Sequence, residues 1–274
     1  MHNVASLAGY KHLSTGTQSQ DYGLSFSVEG TEVCVISDGC STGGNTDLGS
    51  RYLVMSVKKL IAEDSALLVN PQDLEKEIVG AIHRNEWSLD DQDMFATIQI
   101  LSFDGIHYRL TCFGDGCFGF KTKDGLIHLK EVSYSDNAPY YVLYNKNKEY
   151  GNAWNFSASK KRIITKTIIK EGTKLTEKED SVEFVLQEPN ASHFLNTYHT
   201  EIINKEELEY FFVATDGLTS IAEDLIKNVY ETVSIKGFAG DFIKRRLGAQ
   251  TRHWLKNLSQ YPTDDLTIAL IKGD

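Results

Sequence analysis

Three short apolar runs along the chain are uninterrupted by charge and rich in β-branched or aromatic residues. They are 33–37 (Val-Cys-Val-Ile-Ser), 211–215 (Phe-Phe-Val-Ala-Thr) and 266–271 (Leu-Thr-Ile-Ala-Leu-Ile), a pattern that predicts buried strands. Each has an aspartate at one tip. The first runs into Asp38-Gly39, the second into Asp216-Gly217, and the third follows Asp264-Asp265. With the last strand antiparallel to the first two, the three tips would meet at one edge of a sheet. Elsewhere the period becomes helical. Thr46 or Asp47 can cap a helix running to about residue 63, with Leu48, Tyr52, Met55 and Leu60 near helical spacing. A second helix is expected from near Pro71 past Trp87, with Leu74, Ile78, Ala81 and Ile82 on one face.

Residues 1–37 read as strands and turns. Asp104-Gly105, Asp115-Gly116 and Asp124-Gly125 sit between strand-like runs and read as hairpin signals. Two strands are expected at 162–169 and 181–187, and helices near 220–231 and 238–259. Strands come in consecutive groups and helices in pairs. This predicts an α+β chain with mainly antiparallel sheets and helices outside, not a βαβ repeat. The polar stretch at about 130–190 reads as a flap or an inserted subdomain.

Composition narrows the chemistry. The chain has 274 residues, with 28 Lys+Arg against 38 Asp+Glu, a net charge of −10. That balance argues against nucleic acid or an anionic membrane as the main partner. No cationic start precedes an apolar stretch, and no window reaches the roughly 20 apolar residues of a bilayer span. A cytoplasmic protein with reduced thiols is the expectation. Cys34, Cys40, Cys112 and Cys117 are spaced too widely for zinc knuckles, and Cys34 and Cys112, in strand-like runs, read as small buried hydrophobes. The acidic run 90–93 reads as a solvated turn. The strand-tip aspartates are different: carboxylates packed together repel, and need protons or a cation. Oxygen ligands of this kind suit Mg²⁺ or Mn²⁺ better than zinc.

The ordered set Gln20-Asp21, Ser37-Asp38-Gly39, Phe95-Ala96-Thr97, Gly114-Asp115-Gly116, Ala214-Thr215-Asp216-Gly217-Leu218 and Asp264-Asp265-Leu266-Thr267 spans almost the whole chain. In order and spacing it resembles the metal-dependent serine/threonine protein phosphatases of type 2C, in their bacterial branch. The resemblance implies one domain over 1–274, built as a four-layer αββα sandwich with two Mg²⁺ or Mn²⁺ ions at one end. By position Asp38 would bridge both ions, and Asp216 and Asp264 would complete one. The Gly39 carbonyl and Asp21 would serve the other, and Asp115 matches the position of a third, weaker ion. Asp265 would stand behind these ligands. Two such cations lower the pKa of a bridging water and supply a nucleophile for in-line attack on phosphorus.

Three positions depart from the family pattern. Cys40 stands where many relatives have a histidine, Gly16 where many have a phosphate-gripping arginine, and Gln20 where a glutamate is common. Gly9-Tyr10-Lys11-His12 followed by Gln20-Asp21 matches a bacterial sub-branch. In that setting His12 would be a catalytic acid or phosphate donor, against the alternative of a satisfied strand histidine. Lys11 and Arg51 are candidate phosphate partners, set against ordinary surface charge. Cys40 as a nucleophile would need an arginine six positions on, where Thr46 stands. The implied substrate is a phosphoprotein, with a partner kinase opposing the reaction. The competing readings are a catalytically silent relative used for binding or regulation, and a small-metabolite phosphatase whose segment 130–190 closes as a lid.

Overall fold

The computed structural model describes residues 2–135, 137–147, 149–151, 161–183, 197–221, 224–234, 242–254, 256 and 261–273. Their strands form two antiparallel sheets. The first has seven, in the order β1 (His2–Leu7), β12 (Leu266–Ile271), β11 (Leu208–Ala214), β6 (Gly116–Thr122), β7 (Ile127–Tyr134), β8 (Lys161–Lys170) and β9 (Thr173–Glu183). The second has five: β10 (Tyr198–Asn204), β5 (His107–Phe113), β4 (Ile98–Phe103), β3 (Thr31–Ser37) and β2 (Tyr22–Val28). Helices α2 (Thr46–Glu63) and α3 (Pro71–Arg84) lie with the five-stranded sheet, and α5 (Leu225–Val233) and α6 (Phe242–Trp254) with the seven-stranded one. Four layers result, as the resemblance implied.

The layering explains the uninterrupted apolar runs. Side chains alternate across a strand, so a strand covered on both faces must be apolar at every position. In β11, Phe211 and Val213 join the core between the sheets, while Tyr210, Phe212 and Ala214 pack in the outer core with α5 and α6. In β12, Ala269 and Ile271 face inward, and Leu266, Ile268 and Leu270 outward.

Several local expectations change. The three aspartate-tipped strands do not share a sheet: β3 lies in the five-stranded sheet, and β11 and β12 pair in the other. The tips therefore meet between sheets. Asp115-Gly116 is not a hairpin turn, because it carries the chain from β5 to β6 across the sandwich. Residues 104–106 and 123–126 do close hairpins. A six-residue helix α1 (Tyr10–Thr15) interrupts the N-terminal strands, so His12 is a helix residue, not a strand one. Helix α2 has the expected span, but Leu48 and Met55 are exposed and Leu53, Val54, Val57 and Ile61 are buried instead. Helix α3 stops at Arg84, where Asn85 takes a left-handed conformation, so Trp87 lies beyond it. Leu74, Ile78, Ala81 and Ile82 are buried as expected.

Strand β9 begins at Thr173, well before the expected 181, and residues 184–187 lie outside the described set. Helix α5 runs over Leu225–Val233 and α6 over Phe242–Trp254, and the expected ends at 238–241 and 257–259 lie outside the described set. The acidic run 90–93 is not a solvated turn. Asp93 is buried, caps its own 3-10 turn, and accepts from the Asn45 N–H at 2.5 Å. Cys34, Cys112 and Cys117 are buried free thiols, and Cys40 is half-buried.

Candidate metal centre

Each strand end places one carboxylate at the seam between the sheets. Asp38 follows β3, and its N–H reaches Thr97 Oγ1 at 3.2 Å while its carbonyl accepts from the Thr97 N–H at 2.9 Å. Gly39 bridges Ala96, so residues 38–40 continue the β3–β4 pairing irregularly. Asp216 opens a 3-10 turn after β11. Gly217 must be glycine there, since a β-carbon would stand 1.8 Å from the Asp265 carbonyl oxygen. Asp115 sits at the sheet-to-sheet crossover beside Gly116, whose φ of 132° and contact with Gln99 leave no room for a side chain. Gln99 Nε2 donates to the Ala214 carbonyl at 2.9 Å, tying β4 to β11 two residues before Asp216.

A cavity of about 170 Å³ opens between these ends. Asp38, Asp115, Asp216 and Asp264 line it together with Gly39, Cys40 and Ser41, and Asn137, Pro139 and Tyr141 contribute a further stretch of wall. Asp21 is buried next to Asp38 and does not line the cavity. Its Oδ2 accepts from Thr215 Oγ1 at 2.8 Å, while its Oδ1 is buried without a partner. Thr215 is itself held by the Thr267 N–H, 2.9 Å away.

The electrostatics are those of a site short of positive charge. Asp38 lies against both Asp21 and Asp216, so three carboxyl groups crowd together. Burial, and then the charges of Asp21, Asp216 and Asp115, hold the Asp38 carboxyl well above the usual carboxylate range. Burial pushes Asp21 up to about 7 against the help of Thr215, and burial with the nearby Asp216 pushes Asp115 to about 7. Asp216 is raised by burial and by Asp264.

Among the described residues no three Asp, Glu, His or Cys side chains close around one point as they stand. The carboxylates instead crowd one another or line the cavity. The donor set nevertheless fits hard divalent cations: it is all oxygen, and one buried Oδ lacks a partner.

The remaining candidates divide. His12 Nδ1 stands 2.8 Å from Asp265 Oδ2, off the line of a hydrogen bond, and His12 does not line the cavity. Asp265 is almost fully buried and accepts from the N–H groups of Gly9 and Gln20, both at 2.7 Å. It thus fastens both ends of the loop that carries α1 and leads to Asp21. Lys11 Nζ lies 3.0 Å from Asp264 Oδ2, and Arg51 sits over the Tyr22 ring. Gly16 caps α1 with nothing near it, so no side chain reaches the cavity from that position. From segment 130–190, Asn137, Pro139 and Tyr141 reach the cavity wall; residues 152–160 and 184–190 lie outside the described set. These three wall residues carry no recognisable spacing in the sequence, and neither does the anchoring role of Thr215.

The family model for protein phosphatase 2C matches residues 8–258. The chain belongs to the protein phosphatase 2C family. That assignment makes it a protein-serine/threonine phosphatase by class. No curated protein matches it. Solved structures similar to this family member include a bacterial serine phosphatase at 12% identity, covering 100% of this chain and 98% of that one, with a TM-score of 0.59. The serine/threonine phosphatase Stp1 from Staphylococcus aureus is 13% identical, with coverages of 99% and 94% and a TM-score of 0.57. The S. agalactiae serine/threonine phosphatase is 15% identical, fully covered both ways, with a TM-score of 0.55. At these identities the structural likeness speaks for the shared fold. Among the described residues no helix is long and apolar enough to cross a membrane.

Proposed function

We propose that this type 2C phosphatase hydrolyses phosphoserine and phosphothreonine in proteins with two Mg²⁺ or Mn²⁺ ions, reversing the work of a kinase in the cytoplasm. The observation that carries the reading is Asp38 wedged between Asp21 and Asp216 beside a cavity lined by Asp115 and Asp264. Asp38, Asp216 and Asp264 would hold one cation; Asp38, the Gly39 carbonyl and Asp21 the other; Asp115 a weaker third. When bound, such ions supply Lewis acidity, lowering the pKa of water and neutralising phosphoryl charge.

The chain's own groups do the rest. Thr215 fixes the Asp21 carboxylate, and Gln99 and Thr97 fix the strand ends from which Asp216 and Asp38 project. Burial makes the carboxylates poor at holding charge alone, so a bound cation would favour their ionised form. The Tyr141 hydroxyl and Cys40 thiol contact each other at the cavity, and burial keeps the Tyr141 hydroxyl protonated. It is therefore a donor for the anionic substrate throughout the physiological range.

Hydrolysis of nitrophenyl phosphate with Mn²⁺ tests the reading. Wild type should turn over, and Asp38→Ala and Asp216→Ala should each lose on the order of 10²–10³-fold, the scale of removing one preorganised electrostatic group. Folded wild type without turnover, or variants as active as wild type, would reject it.

A further inference from the structure

Glu75 is a buried carboxylate on α3 that the reaction does not touch. No cation pairs with it in the hydrogen bonds it makes. Its Oε1 accepts from Tyr140 Oη and from Asn145 Nδ2, both at 2.9 Å, and its Oε2 accepts from Thr197 Oγ1 at 2.8 Å. These partners lie 65, 70 and 122 residues away. Tyr140 and Asn145 belong to the segment leaving β7 through the short helix α4 (Leu143–Lys146), and Thr197 stands just before β10. One carboxylate thus fastens the chain on both sides of the β8–β9 hairpin.

The segment it holds reaches the reaction centre. Pro139 and Tyr141 flank Tyr140 and line the same cavity as the aspartates. Tyr141 packs against Phe95 at 5.6 Å between ring centroids, and the Phe95 carbonyl accepts from the Cys40 N–H. Asp91 adds a second fastening, through Lys146 Nζ at 2.5 Å and Asn147 Nδ2 at 2.9 Å. Beside the carboxylates proposed as ligands, this wall is a part of the lining able to contact the substrate around its phosphate.

We propose that Glu75 is a positioning residue: by clasping Tyr140, Asn145 and Thr197 it sets the Pro139–Tyr141 wall and thereby the affinity for phosphoprotein. This rests on the phosphatase reading above. The chemistry suits an acceptor-only group, since three donors converge on two oxygens. A glutamine can still accept from Tyr140 and Asn145 and donate to the Thr197 hydroxyl, so it should retain the clasp, whereas alanine removes the acceptor that all three share.

The test compares Glu75→Ala, Glu75→Gln and wild type on a phosphothreonine peptide with Mn²⁺. Glu75→Ala should raise KM about tenfold with kcat within about threefold, the signature of lost binding that is not specific to the transition state. Glu75→Gln should stay near wild type, and Mn²⁺ affinity by calorimetry should be the same in all three. A folded Glu75→Ala with unchanged KM would overturn the proposal. So would Glu75→Gln matching Glu75→Ala, which would assign the effect to charge and not to the clasp. If Glu75→Ala does not fold, Tyr140→Phe removes one bond and should raise KM about threefold; no change would overturn the proposal. If wild type itself shows no turnover, the phosphatase reading fails separately. The clasp is then read from hydrogen exchange at the Tyr144, Asn145 and Asn147 amides, which should quicken about tenfold in Glu75→Ala; unchanged exchange would overturn it.

Discussion

Asp38, half-buried at the cavity, and Glu75, buried on α3, face opposite surroundings. Asp38 meets other carboxylates: Asp21, Asp216 and Asp115 all add their charge. Glu75 meets three neutral donors that satisfy it. Burial raises the pKa of both. At Glu75 the hydrogen bonds oppose that rise, whereas around Asp38 like charge reinforces it. The contrast separates two uses of a buried acid. One fastens backbone segments and is complete as folded; the other, on the proposed reading, would be completed by a cation. Asp265 belongs to the fastening kind, with two backbone N–H groups at 2.7 Å.

The largest effect that would break this division is at Asp265. If it fastens, Asp265→Ala strips partners from two N–H groups and should cost roughly 3 kcal/mol by denaturant unfolding, on the scale of bonds to charged groups. A loss below about 0.5 kcal/mol, the scale of an ordinary surface substitution, would place Asp265 outside the fastening class.

Next comes the pH dependence of the cation-free protein. Burial pushes the carboxyl groups of Asp21 and Asp115 up to about 7, above the ordinary aspartate value of 3.8. Between those limits the folded state holds more protons than the unfolded state. Stability contributed by these groups is therefore present at acid pH and lost as pH rises from about 4 through 7. The Tm should fall from pH 5 to pH 8 without cation, and Mn²⁺ should raise it more at pH 8 than at pH 5. Asp38→Asn, which removes the central charge, should raise the cation-free Tm at pH 8 while abolishing the response to Mn²⁺. A Tm independent of pH over this interval would contradict the crowding of like charges.

The smallest effect concerns His12. Turned toward Asp265, it should act on the loop and not on the leaving group, so His12→Ala should lower turnover less than about tenfold. A loss of about 10²–10⁴, shrinking for nitrophenyl phosphate, would instead mark it as a general acid.

The acidic half of the site was legible because strand-tip aspartates follow local patterns: buried apolar runs, tight glycine turns, and an ordered set of short motifs. Asp38, Gly39, Asp115, Asp216 and Asp264 all line one cavity, with Asp21 directly behind Asp38. The Pro139–Tyr141 wall was not legible. Pro139 and Tyr141 have no periodicity, and their placement depends on Glu75, 65 residues from Tyr140, in a helix whose pattern reports only its apolar face. The exposed Leu48 and Met55 show the same limit within α2, since spacing gives the period of a helix but not which stripe meets the sheet.

By itself the sequence determined which segments become strands and helices, that acids would stand at strand tips, and which family the motifs resemble. Those features are set by neighbouring residues, through burial periodicity and turn geometry. Only the tertiary structure decided that β3 and the β11–β12 pair lie in different sheets, that Asp115 marks a crossover, and that His12 turns to Asp265. Those outcomes depend on packing between residues far apart in the chain, where the energy of a contact is fixed by the partner and not by the local pattern.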